Sequence, residues 1–153
     1  MTQTQEERES LLFELEILLP YNVAVYIDTG TSKYNSTIVG IDKSGFVIVS
    51  DGSKWPIENV KPYFFPISTI SNKQIRKLVR SKWPYSKCRI HRDLNIRKFE
   101  VIFTDHSMDM CYCINELPLL GYNIIEELRK NHFDTAGFLN NGLAIDATGL
   151  KIY

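Results

Sequence analysis

The chain has 153 residues, 44% hydrophobic and 24% charged, a composition too apolar for a disordered segment and long enough to bury about two-thirds of its unfolded surface. Eighteen Lys and Arg balance eighteen Asp and Glu, and no apolar run reaches the length of a membrane span. The acidic opening MTQTQEERES is not a signal peptide, and three cysteines are not an even disulfide set, so the expectation is one domain with reduced thiols in a cytoplasm.

Thr4 and Glu7 have capping-box spacing, and Leu11, Leu12, Leu15, Leu18 and Leu19 share a helical face. These predict an amphipathic helix over Gln5–Leu19, stopped by Pro20. The pattern then changes to strands. Val23–Asp28, Thr37–Asp42 and Phe46–Ser50 are β-branched or aromatic runs. A polar loop from Gly30 to Asn35 and turns at Lys43-Ser44-Gly45 and Asp51-Gly52 separate them. Trp55–Val60 supplies a fourth short strand.

The stretch Lys54–Ile70, KWPIENVKPYFFPISTI, marks the end of this region. Pro56, Pro62 and Pro66 each remove a backbone donor and hold the preceding residue extended, so no helix passes through. Trp55, Tyr63, Phe64 and Phe65 sit beside those prolines, and a segment of this kind is expected to close the edge of a small sheet and seal its core. Exposure of one or two of these rings would instead make a ligand- or peptide-binding face.

Beyond it, Ser71 and Gln74 repeat the capping-box spacing ahead of an apolar stripe of Ile75, Leu78 and Val79, with the helix ended by Pro84. Cys88–Leu94 and Ile96–Thr104 alternate as a hairpin, with Phe99, Val101 and Phe103 on one face and Lys98, Glu100 and Ile102 on the other. Asp109–Ile114 is a weaker strand. Gly121 precedes a helix over Asn123–Asn131 with Ile124, Ile125 and Leu128 inward. Asp134 or Thr135 caps a short turn with Phe138 and Leu139, ended by Asn140-Asn141-Gly142, after which Leu143–Ala147 returns as an edge strand. The fold class is therefore α+β: a small SH3-like β-barrel or curled antiparallel sheet over residues 20–67, an N-terminal helix covering one open end, and a mixed helix and hairpin completion over 68–153.

Charge is distributed unevenly along this neutral chain. Residues 1–16 hold Glu6, Glu7, Glu9, Glu14 and Glu16 against Arg8 alone, whereas residues 73–98 hold ten of the eighteen cations against Asp93. The basic stretch carries Arg76, Lys77, Arg80, Lys82, Lys87, Arg89, His91, Arg92, Arg97 and Lys98, with Trp83 and Tyr85 among them. Cations supply charge for phosphate and rings supply a flat face for a base. The candidate anion- or nucleotide-binding residues are Arg76, Arg80, Trp83, Tyr85, Arg89 and Arg92. The plainer alternative is a solvated basic face balanced by the acidic helix.

Two further constellations are weaker. Cys88, His91, His106, Cys111 and Cys113 fall within one segment, but Cys-x-Cys is not the usual knuckle spacing, and small buried thiols with surface histidines account for them; no metal is expected. Asp105, His106, Ser107 and Asp109 bring a base, a hydroxyl and acids together only in sequence, and triads assemble from separate segments. His132 reads as a structural hydrogen-bonder. No glycine-rich phosphate loop or nucleophile elbow is present, so no catalytic residue and no cofactor is expected.

Lys61-Pro62-Tyr63, then Pro66 and Ser68-Thr69 ahead of a charged helix, returns near the end in Asn131-His132-Phe133-Asp134 and Gly142-Leu143-Ala144-Ile145-Asp146. In these two blocks the chain resembles a family of short uncharacterised proteins from Bacteroidetes and their phages and mobile elements; residues 82–115 lie outside the resemblance. The resemblance implies a source and the cytoplasm of a bacterial host, with no chemistry attached. The function expected first is a non-enzymatic phage or mobile-element binding protein that engages a nucleotide signal or nucleic acid and blunts host defence. The alternative is a structural or interaction module such as a virion component, a homo-oligomer in which the acidic helix of one copy meets the basic stretch of another. A small hydrolase is a distant third, and no membrane contact is expected.

Overall fold

The structure is a computed structural model that describes residues 3–82, 87–93, 98–105 and 108–153. It divides into two compact units, residues 3–65 with 136–153, and residues 66–135. The fold class is α+β, with an N-terminal helix, a curled sheet and C-terminal helices.

In the first unit, α1 spans Gln5–Leu18. Its capping box is complete: Thr4 Oγ1 accepts from the Glu7 N–H at 3.2 Å, and the Thr4 N–H donates to Glu7 Oε2 at 2.8 Å. Glu6 and Glu7 lie in the first turn, where the positive end of the helix dipole favours them. Six strands follow: β1 (Ala24–Asp28), β2 (Lys33–Ile41), β3 (Val47–Val49), β4 (Lys54–Trp55), β5 (Val60–Phe64) and, later in the chain, a two-residue strand at Ile145–Asp146. β4, β3, β2, β1 and β5 lie side by side in that order, with Ile145–Asp146 beyond β5. All pairings are antiparallel except that of Tyr63 and Phe64 with Ile145 and Asp146, which is parallel, so the sheet is mixed and does not close into a barrel.

Several details depart from the sequence expectation. The loop after β1 is only Thr29–Ser32, because Asp28 Oδ1 accepts from the Gly30 N–H at 2.9 Å and the Thr29 N–H donates to the Ser32 carbonyl at 3.0 Å, leaving Lys33–Asn35 free to pair as strand. Ile57–Asn59 forms a 3-10 turn instead of strand. The proline stretch thus supplies one edge, β4, but β5 runs inside the sheet, flanked by β1 and Ile145–Asp146. Pro62 is tolerated there because pairing on the far side begins only at Tyr63.

Alternation in the strands sorts two apolar faces. On one, Val25, Ile27, Val60 and Phe64 pack with Leu11, Leu15 and Leu18 of α1, so the helix covers a sheet face rather than an open end. Val23, Val25, Ile38, Val47 and Val49 are all buried, and Trp55 packs half-buried against this core. On the other face, Ala24, Tyr63 and Ala147 are buried against Tyr26, Phe65, Ile145 and Ile152. The segment 136–153 contributes to both, through Phe138, Leu143 and Ala144 on the first and Ala147 on the second.

Hairpin turns are set by aspartates. Asp42 Oδ1 accepts from the N–H groups of Phe46 and Ser44, and Asp51 Oδ1 accepts from the Ser53 hydroxyl at 2.6 Å and its N–H at 2.8 Å. These donors hold Asp42 and Asp51 below the usual carboxylate range, as the Gly30 N–H does Asp28. Tyr153 closes a gap at the end of the β1–β5 ladder. Beyond the last pair, Val25 with Pro62, its hydroxyl donates to the Tyr63 carbonyl at 2.7 Å and accepts from the Ala24 N–H at 3.3 Å. Removing the hydroxyl by Tyr153→Phe strands both backbone groups and is expected to cost about 1–3 kcal/mol, measured by chemical denaturation. Burial of this hydroxyl pushes its pKa up to about 12. A raised value favours the protonated, folded form, so the stabilisation is whole below the ordinary tyrosine value near 10 and is lost as pH climbs from there through about 12. The variant should lack that part of the alkaline decline.

The second unit contains α2 (Asn72–Lys82), three strands β6 (Lys87–Asp93), β7 (Lys98–Asp105) and β8 (Met108–Cys113), a 3-10 segment Ile114–Leu120 and α3 (Tyr122–Lys130). The three strands form an antiparallel sheet in sequence order. Ile70, Ile75, Leu78, Val79, Leu117, Ile124, Leu128 and Phe133 are its described buried apolar residues. Gly121 caps α3 at φ 132° and ψ 169°, a conformation essentially confined to glycine. The helix ends in a Schellman motif with His132 in the left-handed position at φ 60°: the Phe133 N–H donates to Leu128 and the His132 N–H to Arg129. Burial lowers the pKa of the His132 imidazole.

Candidate anion-binding site

The face of interest is built by α2. Pro66 leads into a 3-10 turn over Ile67–Thr69, where the Thr69 hydroxyl donates to the Pro66 carbonyl at 2.7 Å. The capping box then starts the helix: the Gln74 N–H donates to Ser71 Oγ at 3.2 Å and the Ser71 N–H to Gln74 Oε1 at 2.9 Å. Ile75, Leu78 and Val79 are buried, which rotates Lys73, Arg76, Lys77 and Arg80 outward. At 3.6 residues per turn those four positions fall within an arc of roughly 100°. α2 contains no acid.

The four side chains line an open groove of about 360 Å³, with their aliphatic stems as its walls. Among the described residues none of the four is in an ion pair. Four cations elsewhere are paired, whereas Lys43, Lys61 and Lys151 are in no ion pair among the described residues. Arg8 pairs with Glu58 at 2.8 Å, Lys54 with Asp42 at 3.1 Å, Lys33 with Asp28 at 3.5 Å and Lys130 with Glu127 at 3.1 Å. Four like charges on two turns repel one another, and an anionic partner relieves that cost. A second cavity in this unit, about 50 Å³, is lined by Gln74, Lys77, Glu127 and Asn131 over Ile70 and Phe133. It has room for a few water molecules at most.

Of the residues expected at the site, Arg76 and Arg80 stand together on the α2 face. Arg89 and Arg92 hold positions on β6 opposite Ile102 and Phe99. Trp83 and Tyr85 lie outside the described residues. Lys73 and Lys77 complete the face, and the signal for them was the Ser71–Gln74 cap, which fixes the helix phase.

The other constellations resolve through register. Cys88 aligns across β7 with Met110, whereas Cys111 aligns with Arg89 and Cys113 with His91. His106 and Ser107 lie outside the described residues, and among those described no three His, Cys, Asp or Glu converge. The rings of the proline stretch serve the core: Phe64 and Tyr63 are buried, and Trp55 and Phe65 half-buried. Trp55 meets Tyr34 edge-on at 6.3 Å and donates to Ser53 Oγ, and Phe65 packs on Tyr153 at 5.9 Å. Among the described residues no helix is long and apolar enough to cross a membrane. Compared with family models, curated proteins and solved structures, the chain matches none.

Proposed function

We propose that the protein is a non-enzymatic binding protein that engages a phosphate-bearing anion through the outer face of α2. The observation that carries this reading is the cluster of Lys73, Arg76, Lys77 and Arg80 within one helical arc, without an ion pair among the described residues. Arginine contributes a planar fork that grips phosphate bidentately, lysine a point charge. In a phage or mobile element, as the sequence resemblance implies, such a binder would sequester a nucleotide signal or occupy nucleic acid and so blunt a host response. Purification at low ionic strength tests it: ultraviolet absorbance and mass spectrometry should find a phosphate-containing ligand, released by salt. A protein that purifies free of anions and gains no thermal stability from nucleotides, pyrophosphate or an oligonucleotide would overturn the proposal.

A second reading has one observation in its favour. Glu6, Glu9, Phe13 and Glu16 lie along one exposed strip of α1, with Phe13 65% exposed. Their spacing of three or four residues matches that of the α2 cations, so the acidic strip of one copy docks on the basic face of another. Sedimentation of a dimer that dissociates on Glu9→Lys with Glu16→Lys would select this reading.

A further inference from the structure

We infer that the α2 face recognises the phosphodiester backbone of nucleic acid, without regard to base sequence, rather than a mononucleotide. The inference rests on the anion-binding reading above and sharpens it. Three features of the face lead to it.

The first is length. Lys73 to Arg80 covers seven residues, about 10.5 Å along the helix axis at 1.5 Å per residue. Phosphates of one strand advance about 3.4 Å along a duplex axis, so the face spans about three consecutive phosphate steps. The phosphates of a mononucleotide are contiguous at one end of the molecule. They would engage one end of such a row and leave the other end empty.

The second is shape. The groove is open, and its described lining residues are Lys73, Arg76, Lys77 and Arg80, with no ring and no amide among them. A nucleotide pocket needs a flat face for the base and a few placed polar groups that read its edge. The cavity beside α2 has only about 50 Å³. Among the described residues the groove therefore offers charge along a line, with no ring or amide of its own.

The third is the chemistry of the row itself. Two arginines and two lysines alternate along the face, and buried Ile75, Leu78 and Val79 hold the helix in phase from behind. Such an array neutralises successive phosphates and releases their counterions, which is the sequence-independent part of nucleic-acid binding.

Fluorescence anisotropy with labelled single-stranded DNA of 4, 8 and 16 nucleotides, a 16-base-pair duplex, and ATP as competitor tests this directly. Affinity should rise with length, stay the same when the sequence is shuffled, and be displaced only poorly by ATP. For a single strand the logarithm of the binding constant should fall with the logarithm of salt at a slope of about −3, from about 0.7 per phosphate contacted. Lys73→Gln or Lys77→Gln should each reduce that slope by about 0.7 and weaken all sequences equally. Comparison of the duplex with the single strand of equal length identifies the preferred form. ATP binding as tightly as the 16-mer, or a strong preference for one sequence, would overturn the backbone inference while leaving the anion site standing. Binding of ATP with no oligonucleotide bound would do the same. No binding of any probe would overturn both.

Discussion

Truncating Phe64 to alanine is expected to destabilise the protein by about 3–5 kcal/mol, the cost of removing a large buried aromatic side chain. Phe64 is 1% exposed and packs in the core shared by α1, β1, β2 and the returning segment. Its backbone is also where that segment attaches, since Phe64 pairs with Asp146 and its carbonyl accepts from the Ala147 N–H at 2.9 Å. A cavity there loosens two layers at once. Domains of this size are stable by only about 5–15 kcal/mol, so the variant should melt far below the parent or fail to accumulate. Urea denaturation gives the number. A loss below about 1 kcal/mol would mean that the core collapses around the gap, and that Phe64 is not its centre.

The second large effect concerns binding and should leave stability alone. Changing Arg76 and Arg80 together to alanine removes half of the cations on the α2 face. A hydrogen bond to a charged group contributes about 1.5–3 kcal/mol, so losing two should weaken phosphate-ligand binding by about 100-fold or more. Both side chains point away from Ile75, Leu78 and Val79, and alanine is the best helix former, so the melting temperature should change little. Unchanged affinity for the phosphate ligand in this double variant, at an unchanged melting temperature, would remove the proposed site. Loss of a self-associated species, with no ligand involved, would instead favour the docking of α1 on α2 of another copy.

What could be read from the sequence was local. Thr4 with Glu7 and Ser71 with Gln74 signalled both helix starts, because a capping box is a relation between residues three apart. Lys43-Ser44-Gly45 and Asp51-Gly52 marked their hairpins just as locally, and the Asp42 and Asp51 carboxylates hold them. What escaped depends on partners far along the chain. The parallel pairing of Tyr63 with Ile145 turns β5 from an edge into an interior strand, and no periodicity within VKPYF indicates it. Tyr153 bridging Ala24 and Tyr63 is likewise invisible without the tertiary fold. The site divides along the same line. Arg76 and Arg80 follow from helical phase, as Lys73 and Lys77 would have. Arg89 and Arg92 stand on β6, outside the helix whose phase groups the α2 cations.

The most direct test of the α2 site is amide chemical-shift mapping of the isotope-labelled chain, titrated with an eight-nucleotide single strand of mixed sequence. The largest shifts should fall on Lys73–Arg80, with Lys73, Arg76, Lys77 and Arg80 among them, and should be reversed by added salt. Shifts confined to residues outside α2, or none at all at saturating oligonucleotide, would contradict the claim that this face binds phosphate.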